Sequence, residues 1–320
     1  HSFPTRRSSD LWRSVCRGDL AAGHAHLVHE PTHRFAPAAT CNWTTARRVA
    51  HKPFMTQATH TEPLLSLVID GAIAWITVDN TARMNALTAD MWAAIPRHIA
   101  SAEADANVRI IVLRGAGSKA FSAGADISEF ESARTGNAAA HYDSLNHAAF
   151  EALTRCSKPT LAMIHGFCLG GGLAVAACCD LRFADEAAQF SIPAAKLGLG
   201  YNPRWVRPLL ALAKPAHVKE LLFTGNRFAS AQALAMGLVN RVYPAASLEA
   251  ETRAIAAVIA ENAPLTIRAA KFAIDELTLR PETAGTARLD AAVQVCFESD
   301  DYAEGRRAFL EKRKPQFNGR

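Results

Sequence analysis

The apolar positions of this chain change rhythm near residue 200. Before that point they gather in short runs, and after it they recur at helical spacing. Leu64 to Asp70 and Ala72 to Asp79 read as two strands joined at Gly71. Thr81 to Leu87 is polar and predicts a loop. Thr88 suits an N-cap with Ala89 to Ala102 helical behind it, and Pro96 marks a kink or break. Val108 to Arg114 and Thr160 to Ile164 are compact apolar runs that predict buried strands, with helical spacing from Ala138 to Cys156 between them. Gly171 to Cys179 predicts a helix of small residues, followed by short strands at Asp180 to Phe183 and Gln189 to Ile192. Strands alternating with helices imply βαβ units and a mostly parallel sheet, an α/β fold. From Pro203 the pattern predicts helices over 203–212, 215–224, 230–236, 248–262, 264–279, 286–297 and 300–312. One short strand, Leu238 to Tyr243, interrupts them after Gly237, a natural helix stop.

Composition changes the picture at one end only. Apolar residues make up 49% of 320, ample for a core. No apolar run approaches the roughly 18 residues of a membrane span, so no membrane partner is expected. The formal charge of +5 belongs entirely to residues 1–54, which hold eight Lys/Arg against three Asp/Glu; the remainder is balanced, and nucleic acid is not an expected partner. That head also holds six of the twelve histidines and shows no sustained period. Its opening, His1-Ser-Phe-Pro-Thr-Arg-Arg-Ser-Ser-Asp-Leu11, resembles translated sequencing-adapter text. The expectation is a non-native or disordered head, the rival being an Arg-rich transit-like leader, with the native start at Met55. Residues 55–245 then form the core and 246–320 a helical region. The seven cysteines form no C-x-x-C pair, which predicts buried thiols in a reducing, cytoplasmic setting. The His24/His26/His29/His33 cluster lacks a ligand motif, and no metal site is expected.

Candidate chemistry lies in two glycine-bearing turns. They are Phe121-Ser-Ala-Gly-Ala-Asp-Ile-Ser-Glu-Phe130 and His165-Gly-Phe-Cys-Leu-Gly-Gly-Gly-Leu173. Each follows an apolar run and leads into a helical one. Small residues let backbone approach a ligand, and the first N–H groups of a helix lack internal partners. Two such turns side by side could aim two N–H groups at one oxygen, the requirement for an oxyanion hole. Neither has the dinucleotide or Walker spacing.

Together with Arg83-Met-Asn-Ala-Leu87, Ala235-Met-Gly-Leu-Val-Asn240 and Glu311-Lys-Arg-Lys-Pro315, the two turns make the chain resemble the crotonase superfamily, the enoyl-CoA hydratase/isomerase family, from about Leu64 to Gln316. The resemblance implies a crotonase-like (ClpP/crotonase) spiral of ββα units with a C-terminal helical trimerisation region. It also implies a homotrimer or hexamer and an acyl-CoA thioester substrate. Coenzyme A arrives as part of that substrate, and no metal or redox cofactor is implied. The backbone N–H groups of Ala125 and Gly171 would form the oxyanion hole for the thioester carbonyl, each worth roughly 3 kcal/mol. Arg83, Asn85, Ala86, Leu87, Ala123, Gly124, Asp126 and Ile127 would face coenzyme A. Asp126 reads equally as a cap for the next helix, and Arg83 as an exposed surface residue. Phe309, Lys312, Lys314 and Phe317 resemble residues that close over the nucleotide.

Two departures matter. Hydratases of the family carry glutamates where this chain has Ala174 and Ala194, and alanine cannot transfer a proton. Lys196-Leu-Gly-Leu-Gly-Tyr-Asn-Pro203, running on to Gly225, is similar to the methylmalonyl-CoA decarboxylase branch, whose loop tyrosine sits at the acyl group; that branch has histidine where this chain has Ala125. Tyr201 is thus the candidate for direct chemistry, with a buried loop aromatic as the alternative, and Asn202 is either a substrate contact or a turn residue. His141, Glu129 and Glu131 are further candidates near the site. The functions left open are enoyl-CoA hydration or isomerisation by another route, acyl-CoA decarboxylation, and non-catalytic acyl-CoA binding.

Overall fold

The computed structural model describes residues 64–129 and 137–320. The head, Met55 and Glu131 lie outside the described residues, as does the side chain of Ile127. A short turn at Gly71 lets β1 (Leu64–Asp70) fold back antiparallel on β2 (Ile73–Asp79). The strands β3 (Ile110–Gly115), β5 (Thr160–Ile164), β7 (Leu181–Asp185) and β10 (Arg241–Tyr243) then add in parallel, giving the order β1-β2-β3-β5-β7-β10. A second sheet of β4 (Ala120–Ser122), β6 (Phe167–Leu169), β8 (Gln189–Ser191) and β9 (Phe228–Ala229) is parallel except for its β8–β9 pair.

The period-2 pattern explains why the large sheet is buried on both faces. Ile73, Trp75, Ile110, Val112, Leu161 and Met163 point to one side and pack with Leu248 and Ala256. Their neighbours Ala74, Ile76, Ile111, Leu113, Ala162 and Ile164 point to the other, into the main core. That core is filled by α1 (Ala89–Ala104), α2 (Asn137–Arg155) and α3 (Gly171–Ala177). The remaining helices are α4 (Pro203–Leu212), α5 (Pro215–Thr224), α6 (Ser230–Met236), α7 (Leu248–Glu261), α8 (Pro264–Leu279), α9 (Thr286–Phe297) and α10 (Asp300–Leu310). Thr59–Arg320 forms one compact unit.

Several expectations are corrected. Pro96 does not break α1, which runs on to Ala104. The ring costs one backbone bond, and burial of Met91, Trp92, Ile95 and Ile99 along one face holds the helix together. Strands β4, β6 and β9, two or three residues long, lie in stretches where the pattern predicts no strand. The strand expected from Val108 begins at Ile110, and the one expected from Leu238 begins at Arg241. In both cases the buried residues before it, Val108 and Leu238, pack without pairing. Among the described residues no helix is long and apolar enough to cross a membrane.

Candidate active site

The loop after β2 is fixed before the site is. Met84 and Asn85 adopt left-handed backbone. Asn85 is 1% exposed, and its side chain is fully engaged: Oδ1 accepts from the Asn80 N–H, and Nδ2 donates to the carbonyls of Ala116 and Ala120. Asn80 Nδ2 in turn donates to the Ala86 carbonyl. This strut presents the edge of residues 84–87 to the first glycine turn. Ala123 donates to the Met84 carbonyl at 2.9 Å, Leu87 to the Gly124 carbonyl at 2.7 Å, and Asp126 to the Leu87 carbonyl at 2.9 Å.

This zipper uses the Gly124 carbonyl and the Asp126 N–H, on either side of Ala125, in the parallel bridge Leu87–Ala125, and leaves the N–H of Ala125 unbonded among the described residues. Gly171, first residue of α3, likewise has a free N–H. Gly124 has φ +100°, and a methyl group there would lie 2.9 Å from the Leu169 carbonyl oxygen and 3.0 Å from the Gly171 nitrogen. At Gly172 a methyl would meet the Ser122 carbonyl oxygen at 2.6 Å. The two turns therefore touch backbone to backbone, which only glycine permits. A methyl at Gly171 would stand 3.5 Å from the Ala125 nitrogen. With standard bond lengths the two free nitrogens are then no more than roughly 6 Å apart.

Both border a cavity of about 120 Å³. Ala123, Gly124, Ala125, Gly170 and Gly171 form one wall; Ala174, Ala194 and Tyr201 belong to the others. Among the described residues, no Asp, Glu, His, Lys or Arg lines it. Its aromatic wall is a relay of edge-to-face contacts: Trp92 on Phe150 at 5.5 Å, Phe150 on Trp205 at 5.9 Å, and Trp205 on Tyr201 at 5.6 Å. Burial pushes the Tyr201 hydroxyl well above its ordinary pKa, so it stays a proton donor at neutral pH.

The other candidates fall elsewhere. Arg83, Asn85, Ala86, Leu87 and Asp126 stand behind the turn and are not among the cavity's lining residues. Arg83 is half exposed and pairs with Asp126 at 2.8 Å, also contacting the Ser128 hydroxyl. Burial alone would raise the Asp126 carboxyl, but hydrogen bonds from the Ser128 side chain and backbone and from Arg83 hold it below the usual range. Asp126 thus caps the turn Ile127–Glu129 as well as pairing with Arg83. Glu129 accepts from the Ala89 N–H at 2.8 Å, at the start of α1. His141 is exposed, and Asn202 accepts from the Arg204 N–H as the N-cap of α4. Sequence reasoning missed Trp92, Trp205 and Asn146, all of which line the cavity. Asn146 shares α2 with His141, and the informative signal is an asparagine on the buried face of an amphipathic helix.

The two-sheet α/β fold, with two glycine turns meeting over a small apolar cavity, defines a crotonase-fold protein. A family profile described as Enoyl-CoA hydratase/isomerase matches residues 69–320. The short-chain-enoyl-CoA hydratase of Clostridium acetobutylicum is 34% identical over 247 residues, covering 77% of this chain and 94% of that protein. The carnitinyl-CoA dehydratase of Salmonella enteritidis is 33% identical over 261 residues, 80% and 98% of the two chains. Among solved structures, an enoyl-CoA hydratase/carnithine racemase from Magnetospirillum magneticum superposes with a TM-score of 0.77 at 36% identity, covering 81% of this chain and 97% of that one. The chain belongs to the enoyl-CoA hydratase/isomerase family and is an acyl-CoA enzyme.

Proposed function

We propose that the enzyme binds an acyl-CoA thioester with its carbonyl oxygen between the N–H groups of Ala125 and Gly171, and that these two donors stabilise the enolate formed in the reaction. The observation that carries this reading is the pair of backbone donors, unpartnered among the described residues, on the wall of one largely apolar cavity. Preorganised donors in a water-poor site need no reorganisation as charge develops on the oxygen. Ala123 and Gly124 would pass the pantetheine arm along the same wall. Asn85, Ala86, Leu87, Asp126 and Ile127 would hold the loop against which the cofactor portion lies. Arg83, paired to Asp126 by one nitrogen, would keep its other N–H groups for a coenzyme A phosphate. In this reading the chemistry needs no cofactor beyond the coenzyme A of the substrate.

The related hydratases make hydration the first reaction to test. At this site it would have to run without the two carboxylates, since the resemblance matches their positions to Ala174 and Ala194 and no Asp or Glu among the described residues lines the cavity. A second reading is favoured by Tyr201, a lining residue whose hydroxyl is buried without a partner. It is decarboxylation of a 2-carboxyacyl-CoA. The bond from the α-carbon to the carboxylate breaks, and its electron pair moves into the thioester carbonyl to give the enolate. Carbon dioxide leaves, and a proton from water or Tyr201 then goes to the α-carbon. No carboxylate base is required.

The test is turnover of crotonyl-CoA, a 3-enoyl-CoA and methylmalonyl-CoA by the full chain, followed by mass spectrometry beside Tyr201→Phe. Conversion of any one ester is the expected result. Carbon dioxide release from methylmalonyl-CoA, slowed at least about 10-fold in the variant, would select the second reading. Hydration of crotonyl-CoA at equal rates in both proteins would retire it. Binding with no turnover of any ester would leave a non-catalytic acyl-CoA binder.

A further inference from the structure

Asn146, on α2, is 3% exposed and lines the cavity. Asn80 and Asn85 are buried to a similar degree and commit their carboxamides to backbone partners. The Asn146 carboxamide has no hydrogen bond among the described residues. Two neighbours on the cavity wall repeat the pattern: Tyr201 Oη and Trp205 Nε1 are shut off from solvent without a partner. Their rings meet edge to face, so both belong to one corner. Trp92, on the same cavity, instead donates its indole N–H to Tyr142 Oη at 3.0 Å. An unbonded polar atom is therefore not the general condition of this wall.

Buried polar groups without partners are uncommon and costly. Here two such atoms, Tyr201 Oη and Trp205 Nε1, share a single small cavity with the unbonded carboxamide of Asn146, and no charged side chain among the described residues lines it. An alkyl chain entering the cavity would leave all three unpaired.

Resting on the acyl-CoA reading above, we propose that this corner selects acyl thioesters carrying a second oxygen acceptor, a ketone or carboxylate oxygen on the acyl group, held by Asn146 Nδ2, Tyr201 Oη and Trp205 Nε1. The three donors are uncharged, so they recognise the oxygen by hydrogen bonding and geometry. A site built to bond an oxygen function discriminates strongly against the analogue that lacks it, because its own polar groups then stay unpaired.

The test is calorimetric titration of the full chain with butyryl-CoA, acetoacetyl-CoA and malonyl-CoA, with the esters checked by mass spectrometry after each run. At least one oxygenated ester is expected to bind about 30-fold more tightly than butyryl-CoA. The leading ester tells ketone from carboxylate. Asn146→Leu, similar in shape but without donor or acceptor, is expected to shrink that ratio below about 5-fold. Tyr201→Phe keeps the ring packing and is read in the same way should Asn146→Leu fail to fold. Equal affinity for all three esters, tightest binding of butyryl-CoA, or a preference that neither variant reduces would overturn the proposal. Absence of binding by any ester, butyryl-CoA included, would overturn the acyl-CoA reading itself, so the two failures are distinct.

Discussion

Single residues decide whether the two turns meet. Gly124 combines a positive φ with a backbone carbonyl 2.9 Å from where a methyl would stand. Gly124→Ala is expected to lower kcat/KM on whichever ester is turned over by about 100-fold, since displacing one of two donors by a fraction of an ångström forfeits much of its effect. The thermal midpoint should fall only modestly. An unchanged kcat/KM would show that the contact between the turns does not set the chemistry. A second residue-scale effect lies far from the cavity. Burial, with Asp180 nearby, pushes the Asp275 carboxyl up to about 6. Its folded-state pKa thus exceeds the unfolded value, so ionisation disfavours the fold. The stability lost appears as pH rises from about 4 to about 6 and is fully lost at pH 7. Asp275→Asn should raise the thermal midpoint at pH 7 and make no difference near pH 3.5. Partial exposure keeps the effect small. A gain that persists at the lower pH would assign it to something other than this carboxyl.

Between elements, the buried guanidinium of Arg182 ties β7 to its surroundings. Its Nε donates to the Leu238 carbonyl at 2.8 Å and one terminal nitrogen to the Cys179 carbonyl at 2.6 Å, just beyond α3. Arg182→Met should cost about 2–4 kcal/mol, because several carbonyls lose their donor at once. Arg182→Lys should recover less than half of this, since one ammonium cannot reproduce the fork. Urea unfolding midpoints measure both, and full recovery by lysine would disprove the forked role. It is at this scale that the sequence was readable to different depths. Helices such as Leu248–Glu261 and Pro264–Leu279 stand where periodicity and initial prolines put them. The strands Ala120–Ser122, Phe167–Leu169 and Phe228–Ala229 are too short to show any period, and pairing makes them strands, the first with the second and both the second and third with Gln189–Ser191. The glycine turns were visible because backbone approach restricts residue type. Asn146 and Trp205 were not, because which face of a helix meets a cavity depends on packing by distant segments.

For the whole molecule, the C-terminal helices leave apolar surface bare. Ile274 and Leu277 on α8, Phe297 on α9, and Phe309 and Leu310 on α10 are all more than half exposed, Phe309 by 84%. Surface of this kind marks association. Light scattering should give three or six times the chain mass, and Phe309→Asp with Leu310→Asp should lower it. A monomer before mutation would leave this surface without its expected cover. The contact of the two glycine turns has one more consequence, for heredity. If the donors are those of Ala125 and Gly171, they belong to the main chain, which every codon but those for proline supplies alike. Mutation cannot then delete them by trimming a side chain. It can only move them or insert proline, while the residues around them remain free to drift from one acyl group to another. The centre of the enzyme would in that sense be written in its shape and not in its letters.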